Sequence, residues 1–353
     1  MKAKKEKVLM SGNEAMAEAA IRAGCHFYAG YPITPQNEIP TYMAKRMKEE
    51  SRVFIQAESE LSAINMVFGA AATGARALTS SSSPGISLKQ EGISYLAGAQ
   101  LPAVIINVMR GGPGLGNIGS SQSDYFQSTR GGGHGDYFTP VLAPWSAEEG
   151  ARLVILGFDL ADYYRTPVLI LADAIIGQMM ESVAMPLRSE FKKKLPGKSW
   201  ALTGAKGRGQ NIAKSFFLKE GALEVHNQKL ENKWKDLIKN EQRFSSYKAD
   251  DAKYLIIAYG SEARIAWEAV DRLRGENLKA GLFRPISLWP YPDSELQKTA
   301  KNIKKIFVVE QSLGQMLDDV KLALPGKEIK FLGRTGGGIP SASEIVKFVK
   351  KAL

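Results

Sequence analysis

The sequence predicts an α/β protein, in which a parallel sheet carrying helices on both faces is followed by a second, smaller α/β domain. Two observations predict this class: short apolar runs of strand length alternate with helical segments, and the alternation stops once and then resumes. The chain has 353 residues, of which 44% are hydrophobic and 24% charged, so it is long enough for two domains with apolar cores.

The first domain is predicted over residues 1–185. Its first helix, over 13–23, ends before Gly24, a common helix stop. Short apolar runs bounded by polar residues or glycine predict buried strands. These runs lie at 25–30, 53–57, 75–79, 103–108 and 168–173. Further helices are predicted at 60–71, 86–97 and 147–164.

Residues 186–250 interrupt this alternation and predict a basic connecting segment with one helix near 218–240. Residues 187–250 contain 15 basic and 7 acidic side chains, a net charge of +8 out of +11 for the chain. A nucleic-acid-binding segment usually interleaves such charge with aromatic residues or carries a recognisable motif. We therefore interpret it as a solvated face or a partner-subunit surface, and nucleic-acid binding is the less favoured alternative.

The alternation resumes in a smaller domain predicted over 251–353. Apolar runs at 254–259, 278–283 and 305–309 predict strands. The segments that predict helices are 263–273, 314–322 and 341–350.

The composition also excludes several classes. A single cysteine, Cys25, excludes an internal disulfide and a four-thiolate iron–sulfur or zinc site within this chain. No Cys/His pair has metal-ligand spacing, so we predict no metal held by this chain alone. No apolar run has the length of a membrane span, and the basic first residues lack the apolar core of a signal peptide. We expect a cytoplasmic protein without a membrane partner.

Polar side chains follow the carboxyl ends of four predicted strands, where open α/β sheets bind their ligands. In chain order these ends offer Thr34, Glu60, a serine-rich turn at 80–83 and Arg110. Glu60 lies at the start of an apolar helix, where it either complements the helix dipole or serves catalysis. Arg110 suits bidentate binding of a carboxylate, and a surface ion pair is the alternative.

Two glycine-rich stretches follow the fourth strand. Residues 114–119 match the dinucleotide-binding fingerprint, but polar residues follow them instead of a helix, and other residues separate them from the strand. We interpret 114–119 as an active-site loop, with a nicotinamide site as the disfavoured alternative. His134 lies in the second stretch, 131–136, and either contacts substrate or is simply a loop histidine.

These motifs resemble the alpha subunit of the 2-oxoacid:ferredoxin oxidoreductases, and the resemblance covers nearly the whole chain. The spacing of Glu60 and Gly69 also resembles the pyrimidine-binding domain of thiamine diphosphate enzymes in general. The segments that carry the resemblance are Tyr31-Pro32-Ile33-Thr34-Pro35, Ser83-Pro84-Gly85-Ile86-Ser87, Arg110-Gly111-Gly112-Pro113, Gln122-Ser123-Asp124 and His134-Gly135-Asp136.

The resemblance implies that residues 1–185 form a thiamine diphosphate pyrimidine-binding domain and that residues 251–353 form a transketolase C-terminal-like domain. Glu60 would hydrogen-bond the aminopyrimidine N1′ and favour the imino tautomer, whose nitrogen removes the C2 proton. The cofactor would also be contacted by Ser83, Pro84 and Gly85. Arg110 would bind the 2-oxoacid carboxylate, and the further substrate contacts would be Thr34 and His134.

The implied reaction is the oxidative decarboxylation of a 2-oxoacid to an acyl-CoA and CO2, with coenzyme A as co-substrate and ferredoxin as electron acceptor. The chain lacks the cysteine sets for [4Fe-4S] clusters and the Gly-Asp-Gly…Asn pattern for Mg²⁺ and the cofactor diphosphate. A beta subunit would hold Mg²⁺ and the diphosphate, and gamma or ferredoxin-like delta subunits would complete the enzyme. The chain alone would be inactive.

The prediction of the substrate rests on one segment of the chain. Residues 112–118 resemble the 2-oxoisovalerate subtype, whose substrate is 3-methyl-2-oxobutanoate. The alternatives are a 2-oxoglutarate:ferredoxin oxidoreductase and a thiamine diphosphate enzyme without iron–sulfur partners.

Overall fold

The structure is a computed structural model that describes residues 7–185 and 189–353. Residues 186–188, which begin the predicted connecting segment, lie outside the described residues. The described part is an α/β fold with one seven-stranded sheet, one five-stranded sheet and a two-stranded ribbon. The predicted fold class is therefore confirmed.

Strands and helices are numbered in chain order. The strands are β1 (Val8–Ser11), β2 (Phe27–Gly30), β3 (Val53–Gln56), β4 (Ala77–Ser81), β5 (Ala103–Met109), β6 (Val141–Leu142), β7 (Pro167–Asp173), β8 (Met180–Val183), β9 (Phe244–Tyr247), β10 (Tyr254–Ile257), β11 (Ala280–Pro285), β12 (Ser287–Trp289), β13 (Lys305–Glu310) and β14 (Ile329–Gly333). The helices are α1 (Gly12–Arg22), α2 (Glu38–Glu49), α3 (Glu60–Ala72), α4 (Ser83–Gly98), α5 (Tyr125–Thr129), α6 (Ala147–Tyr164), α7 (Ala174–Gln178), α8 (Ala222–Asn240), α9 (Gly260–Gly275), α10 (Asp293–Ala300), α11 (Gln315–Ala323) and α12 (Ala342–Lys351).

The seven-stranded sheet has the order β12-β6-β7-β5-β4-β2-β3. Its strands pair in parallel except for β12, which pairs antiparallel with β6 at the edge. Every residue of β5 and β7 is buried, which explains their uninterrupted apolar sequences. Because parallel strands end at the same edge of a sheet, the segments that follow β2, β3, β4 and β5 meet there.

The five-stranded sheet has the order β14-β13-β10-β11-β9, with β9 as its only antiparallel strand. Two strands cross the predicted domain limits: β9 comes from the predicted connecting segment, and β12 of the second domain joins the first sheet. Both are short edge strands, which carry little apolar signal in the sequence. The limits at 185 and 250 stay a prediction.

Helix α8 corresponds to the helix predicted near 218–240. Leu230, Trp234 and Leu237 are its buried side chains, and their spacing of four and three residues defines one apolar face. Most of the other α8 side chains are exposed or half-buried. Part of the basic segment therefore packs onto the body of the protein.

Buried hydrogen bonds join the two sheets at the carboxyl ends of their strands. The Gln122 Nε2 donates to the Tyr259 carbonyl at 2.9 Å, and the Gln311 amide donates to Gln122 Oε1 at 3.0 Å. The Ser261 amide donates to Asp173 Oδ2 at 2.8 Å. The second domain is thereby fixed against the edge where the candidate site lies.

Candidate active site

Glu60 is held at the first turn of α3. Ser59 caps this helix, since its hydroxyl accepts a hydrogen bond from the Ser62 amide at 3.2 Å. Glu60 itself is only 6% exposed, and its carboxylate accepts no hydrogen bond from any described residue. The neighbouring Glu58 is exposed and accepts a hydrogen bond from the Ser62 hydroxyl. The helix start therefore holds one nearly buried carboxylate whose hydrogen-bonding capacity is unused.

Gly85 brings the start of α4 against this carboxylate. A Cβ at position 85 would collide with the Ser81 hydroxyl and with the Glu60 carboxylate, at 2.9 Å from its Cδ. The hydroxyls of Ser81 and Ser82 are buried and have no hydrogen-bond partner among the described residues. The end of β4 and the starts of α3 and α4 therefore enclose an acceptor and two hydroxyls that can serve a polar ligand.

The serine-rich segment is more regular than its sequence predicts. The predicted strand ends at 79 and a turn follows, whereas β4 continues to Ser81 and α4 begins at Ser83. The Ser80 hydroxyl donates to Gln36 Oε1 at 2.6 Å and lies 2.8 Å from the Tyr28 hydroxyl. These internal hydrogen bonds allow a buried strand to contain serines, which on their own favour turns.

Arg110 follows β5 and is 7% exposed. Its Nη1 donates to the Thr34 carbonyl at 3.0 Å, its Nη2 donates to the Leu115 carbonyl at 3.1 Å, and its Nε is buried without a partner. It forms no salt bridge with any described residue, so the surface ion-pair interpretation is wrong. A nearly buried guanidinium bonded only to neutral carbonyls has its charge available for an anion.

Thr34 reaches the site through its backbone. Its carbonyl oxygen binds Arg110, and its hydroxyl accepts a hydrogen bond from Asn37 Nδ2 at 3.3 Å. The structure thus brings Thr34 and Arg110 together, as expected from the ends of β2 and β5. The contact uses the main chain of Thr34, which the sequence did not indicate.

The loop at 111–119 joins Arg110 to the second domain. The Asn117 amide donates to the Gly111 carbonyl at 3.0 Å, and its Nδ2 donates to the Gly336 carbonyl at 2.9 Å. No helix begins within or directly after this loop, so the element that a dinucleotide fingerprint requires is absent there. The interpretation as a glycine-rich loop at the site agrees with this geometry.

Ser83 fixes the start of α4 to the end of β5. Its hydroxyl donates to Asp124 Oδ2 at 2.6 Å and accepts from the Arg110 amide at 3.0 Å. Asp124 also accepts from Asn107 Nδ2 at 2.8 Å, and burial raises its pKa. Ser83, Pro84 and Asp124 line an open cavity of about 410 Å³ that reaches the second domain.

Lys89, which is completely buried in α4, was not indicated by any motif in the sequence. Its Nζ donates to Thr79 Oγ1 at 2.8 Å, and burial lowers its pKa to about 7. Lysine is ordinarily a surface residue, and a single lysine within a helix carries no signal of burial.

His134 is not brought to this site. It is exposed, meets the Tyr95 ring edge-on at 6.3 Å, and lines a separate cavity of about 170 Å³ with His226. Its carbonyl accepts a hydrogen bond from the Ser94 hydroxyl at 2.7 Å. Ser94 lies roughly 16 Å further along α4 than Ser83, at 1.5 Å per residue. Within this chain the geometry therefore gives no support to the predicted contact of His134 with substrate.

Within residues 7–185 and 189–353, no group of three or more His, Cys, Asp or Glu side chains is arranged to hold a metal ion. Over the same residues, no helix is both long and apolar enough to cross a membrane.

A parallel α/β domain with a nearly buried, unpaired acid at the start of a helix, joined to a second α/β domain, fits a thiamine diphosphate-dependent oxidoreductase subunit. The chain belongs to the pyruvate flavodoxin/ferredoxin oxidoreductase family. Residues 18–240 match the family model for the thiamine diphosphate-binding domain of that family, and residues 252–345 match the model for the core domain II of pyruvate:ferredoxin oxidoreductase. The predicted family and enzyme class are confirmed.

Two related proteins match nearly the whole chain. It is 45% identical to the ketoisovalerate oxidoreductase subunit VorB of Methanothermobacter marburgensis, over 97% of each chain. It is 34% identical to the 2-oxoglutarate synthase subunit KorA of Methanothermobacter thermautotrophicus, over 98% of this chain and 99% of that one.

Two solved structures are also similar. One is a 2-oxoglutarate:ferredoxin oxidoreductase from Magnetococcus marinus with 2-oxoglutarate, coenzyme A and succinyl-CoA bound, with a TM-score of 0.87 and 26% identity. The match covers 98% of this chain and 65% of that one, so this chain spans about two thirds of that protein. The other, an inactive split-gene transketolase tetramer, has a TM-score of 0.59 and 14% identity, which is a likeness of fold alone.

Proposed function

We propose that this chain is the alpha subunit of a 2-oxoacid:ferredoxin oxidoreductase whose substrate is 3-methyl-2-oxobutanoate. The enzyme converts this acid to an acyl-CoA and CO2 and reduces ferredoxin. The observation that carries the proposal is the nearly buried Glu60 carboxylate, which has no partner among the described residues and lies against Gly85 at the edge where Arg110 also lies. The 45% identity to a ketoisovalerate oxidoreductase subunit supports this substrate, and the 34% identity to a 2-oxoglutarate synthase subunit keeps the alternative open.

The residues at this edge fit the pyrimidine part of thiamine diphosphate. They offer one unpaired carboxylate, two unpartnered hydroxyls and a glycine that leaves space beside them. Glu60, Gly85, Ser83 and Pro84 would hold the ring. When bound, the cofactor supplies the electron sink on which the bond to the 2-oxoacid carboxylate is broken.

Glu60 holds a proton-accepting oxygen at a fixed position. Its place in the first turn of α3 positions the carboxylate, and burial strengthens a hydrogen bond to a ring nitrogen. Ser59 caps the helix and the backbone of Gly85 lies close to the carboxylate, so the position of the carboxylate is fixed. It therefore need not reorganise when it exchanges a proton with the ring nitrogen of the cofactor.

Arg110 binds the carboxylate of the substrate. A guanidinium has five N–H donors. Two main-chain carbonyls, those of Thr34 and Leu115, accept from its Nη atoms, and its Nε is unpartnered. The remaining donors can hold a carboxylate, and the Ser83 contact to the Arg110 amide fixes the direction of approach.

The loop that Arg110 anchors supports a branched-chain acid. Leu115 and Ile118 project from it and are 79% and 64% exposed. These apolar side chains suit the isopropyl group of 3-methyl-2-oxobutanoate. The distal carboxylate of 2-oxoglutarate requires a second cation instead, and the 111–119 loop carries none.

Further subunits complete the site in this proposal. A beta subunit holds Mg²⁺ and the cofactor diphosphate, while gamma or delta subunits hold the [4Fe-4S] clusters that pass electrons to ferredoxin. Leu61 and Leu88, 45% and 48% exposed, flank the starts of α3 and α4 and offer an apolar contact to the beta subunit. A cytoplasmic location stays a prediction.

The basic connecting segment supports no nucleic-acid function. Lys193 forms an ion pair with Glu241 at 3.6 Å, and Lys198 forms one with Asp162 at 2.7 Å. Lys233 donates to the Arg165 carbonyl at 2.9 Å. Part of the positive charge is therefore used within the chain.

The test is a substrate panel on the chain reconstituted with its partner subunits. Reduction of methyl viologen in the presence of coenzyme A is followed with 3-methyl-2-oxobutanoate, 2-oxoglutarate and pyruvate. We expect the highest kcat/KM with 3-methyl-2-oxobutanoate. A preference for 2-oxoglutarate would contradict the proposed substrate while leaving the reaction type in place.

A further inference from the structure

Lys89 is a buried cation that the proposed reaction does not yet use. Its side chain is 0% exposed, and its Nζ has one short hydrogen bond, to Thr79 Oγ1 at 2.8 Å, and a long one to the Ser80 carbonyl at 3.5 Å. An ammonium has three donors, and a buried charge is costly unless another charge lies near it. Two neutral oxygens of β4 do not supply that charge.

The helix geometry shows which element Lys89 faces. Gly85 lies one turn before Lys89 on α4 and contacts Glu60, at the start of α3. Gly92, three residues after Lys89, contacts Ile64, one turn further along α3, with 3.1 Å between the Ile64 Cβ and a Cβ at position 92. Residues three and four apart share one helix face. Lys89 is therefore on the face of α4 that packs against α3, between the two contacts.

Glu60 is the carboxylate that faces this ammonium. Burial lowers the pKa of Lys89, and the negative charge of Glu60 opposes that decrease. Lys89 forms no salt bridge with any described residue, so Glu60 does not contact the ammonium directly. A further titratable group on a neighbouring element is the Tyr28 hydroxyl of β2, which lies 2.8 Å from the Ser80 hydroxyl.

We propose that Lys89 is a positioning residue for the reaction, and that its ammonium is the internal counter-charge that holds the Glu60 carboxylate oriented toward the cofactor pyrimidine. This inference rests on the proposed function and deepens it. Lys89 is completely buried, so it acts through that carboxylate and contacts neither substrate nor cofactor.

The charge pair is tested first in the full chain without cofactor, by thermal unfolding of Glu60→Gln, Lys89→Met and the double variant. Either single change leaves one charge without its partner. We therefore expect the Tm decrease of the double variant to be smaller, by about 2 °C or more, than the sum of the two single Tm decreases. Lys233→Met is the control, because Lys233 is a half-buried lysine whose pKa is also lowered to about 7, but it bonds the Arg165 carbonyl, which precedes β7 at the opposite edge of the sheet. Additive shifts for Glu60 and Lys89 would overturn the pair.

The role of Lys89 is tested by thiamine diphosphate binding to the reconstituted complex, measured by calorimetry. We expect Lys89→Met to weaken binding about tenfold when Glu60 is present and less than about twofold in the Glu60→Gln background. Lys233→Met leaves the affinity unchanged. Lys89→Arg keeps the charge and retains the affinity within about threefold, and this variant decides the question if Lys89→Met does not fold.

Two failures are distinguishable. A wild-type complex that binds no thiamine diphosphate contradicts the proposed function itself. A wild-type complex that binds it, together with equal binding by Lys89→Met or a tenfold loss in Lys89→Arg, overturns only the inference about Lys89.

Discussion

Gly85→Ala tests the placement of the Glu60 carboxylate, because the new Cβ would collide with that carboxylate as well as with the Ser81 hydroxyl. Gly85 lies inside α4, where alanine is the better helix former by about 1 kcal/mol, so the backbone favours the change. The new Cβ would lie 2.9 Å from Glu60 Cδ, whereas carbon atoms in contact are about 3.5–4.0 Å apart. The carboxylate must therefore move by about 1 Å.

A displacement of that size in a catalytic group costs about a hundredfold in rate. We expect the Gly85→Ala complex to assemble with a lowered Tm, because the buried Ser81 hydroxyl must also move, while kcat/KM for methyl viologen reduction falls about a hundredfold. Gly157→Ala in α6 is the control, because a Cβ there meets Ile170 Cδ1 at an ordinary 3.4 Å. Wild-type kcat/KM in Gly85→Ala would refute the placement of Glu60 against α4.

Three further predictions concern substrate and stability. Arg110→Gln removes the cation, so KM for 3-methyl-2-oxobutanoate should rise at least tenfold, about 1.4 kcal/mol, in steady-state assays; an unchanged KM would exclude Arg110 as the carboxylate site. Leu115→Arg adds a cation to the 111–119 loop, so the kcat/KM ratio of 2-oxoglutarate to 3-methyl-2-oxobutanoate should rise about tenfold; a constant ratio would exclude this loop from substrate selection. Burial raises the pKa of Glu262 from 4.5 to about 8, so the folded chain keeps a proton that the unfolded chain releases. This stabilisation is complete below pH 4.5 and is lost as the pH rises through 8. Between about pH 5 and 9, the Tm of Glu262→Gln should therefore fall less than the Tm of wild type in differential scanning fluorimetry. Parallel Tm curves would contradict the raised pKa of Glu262.

The central strands of the fold were predictable because burial on both faces requires apolar side chains at nearly every position. β5 and β7 are apolar at nearly every position and were predicted within a residue or two. Short or polar strands were not predicted: β6 has two residues, and the edge strand β9 reads FSSY. Helix α2 was also missed, since Pro40 in its first turn interrupts the helical pattern although proline is tolerated there.

The site was predictable where polar or charged side chains follow the carboxyl end of a strand. Glu60, Arg110 and the 83–85 segment meet at one edge because parallel strands deliver them there. Two features of the site could be recognised only from the structure. His134 lies in a loop that contacts Ser94, far along α4 from Glu60. Lys89 can be recognised as a candidate only because the packing of α3 on α4 buries it.

The central claim is that Glu60 handles the proton of a cofactor shared with a partner chain. The most direct measurement is methyl viologen reduction by the reconstituted complex with 3-methyl-2-oxobutanoate and coenzyme A, comparing wild type with Glu60→Gln at equal subunit content. We expect turnover in wild type and a loss of at least a thousandfold, about 4 kcal/mol, in Glu60→Gln, with assembly intact by size-exclusion chromatography. Near-normal turnover in Glu60→Gln would contradict it.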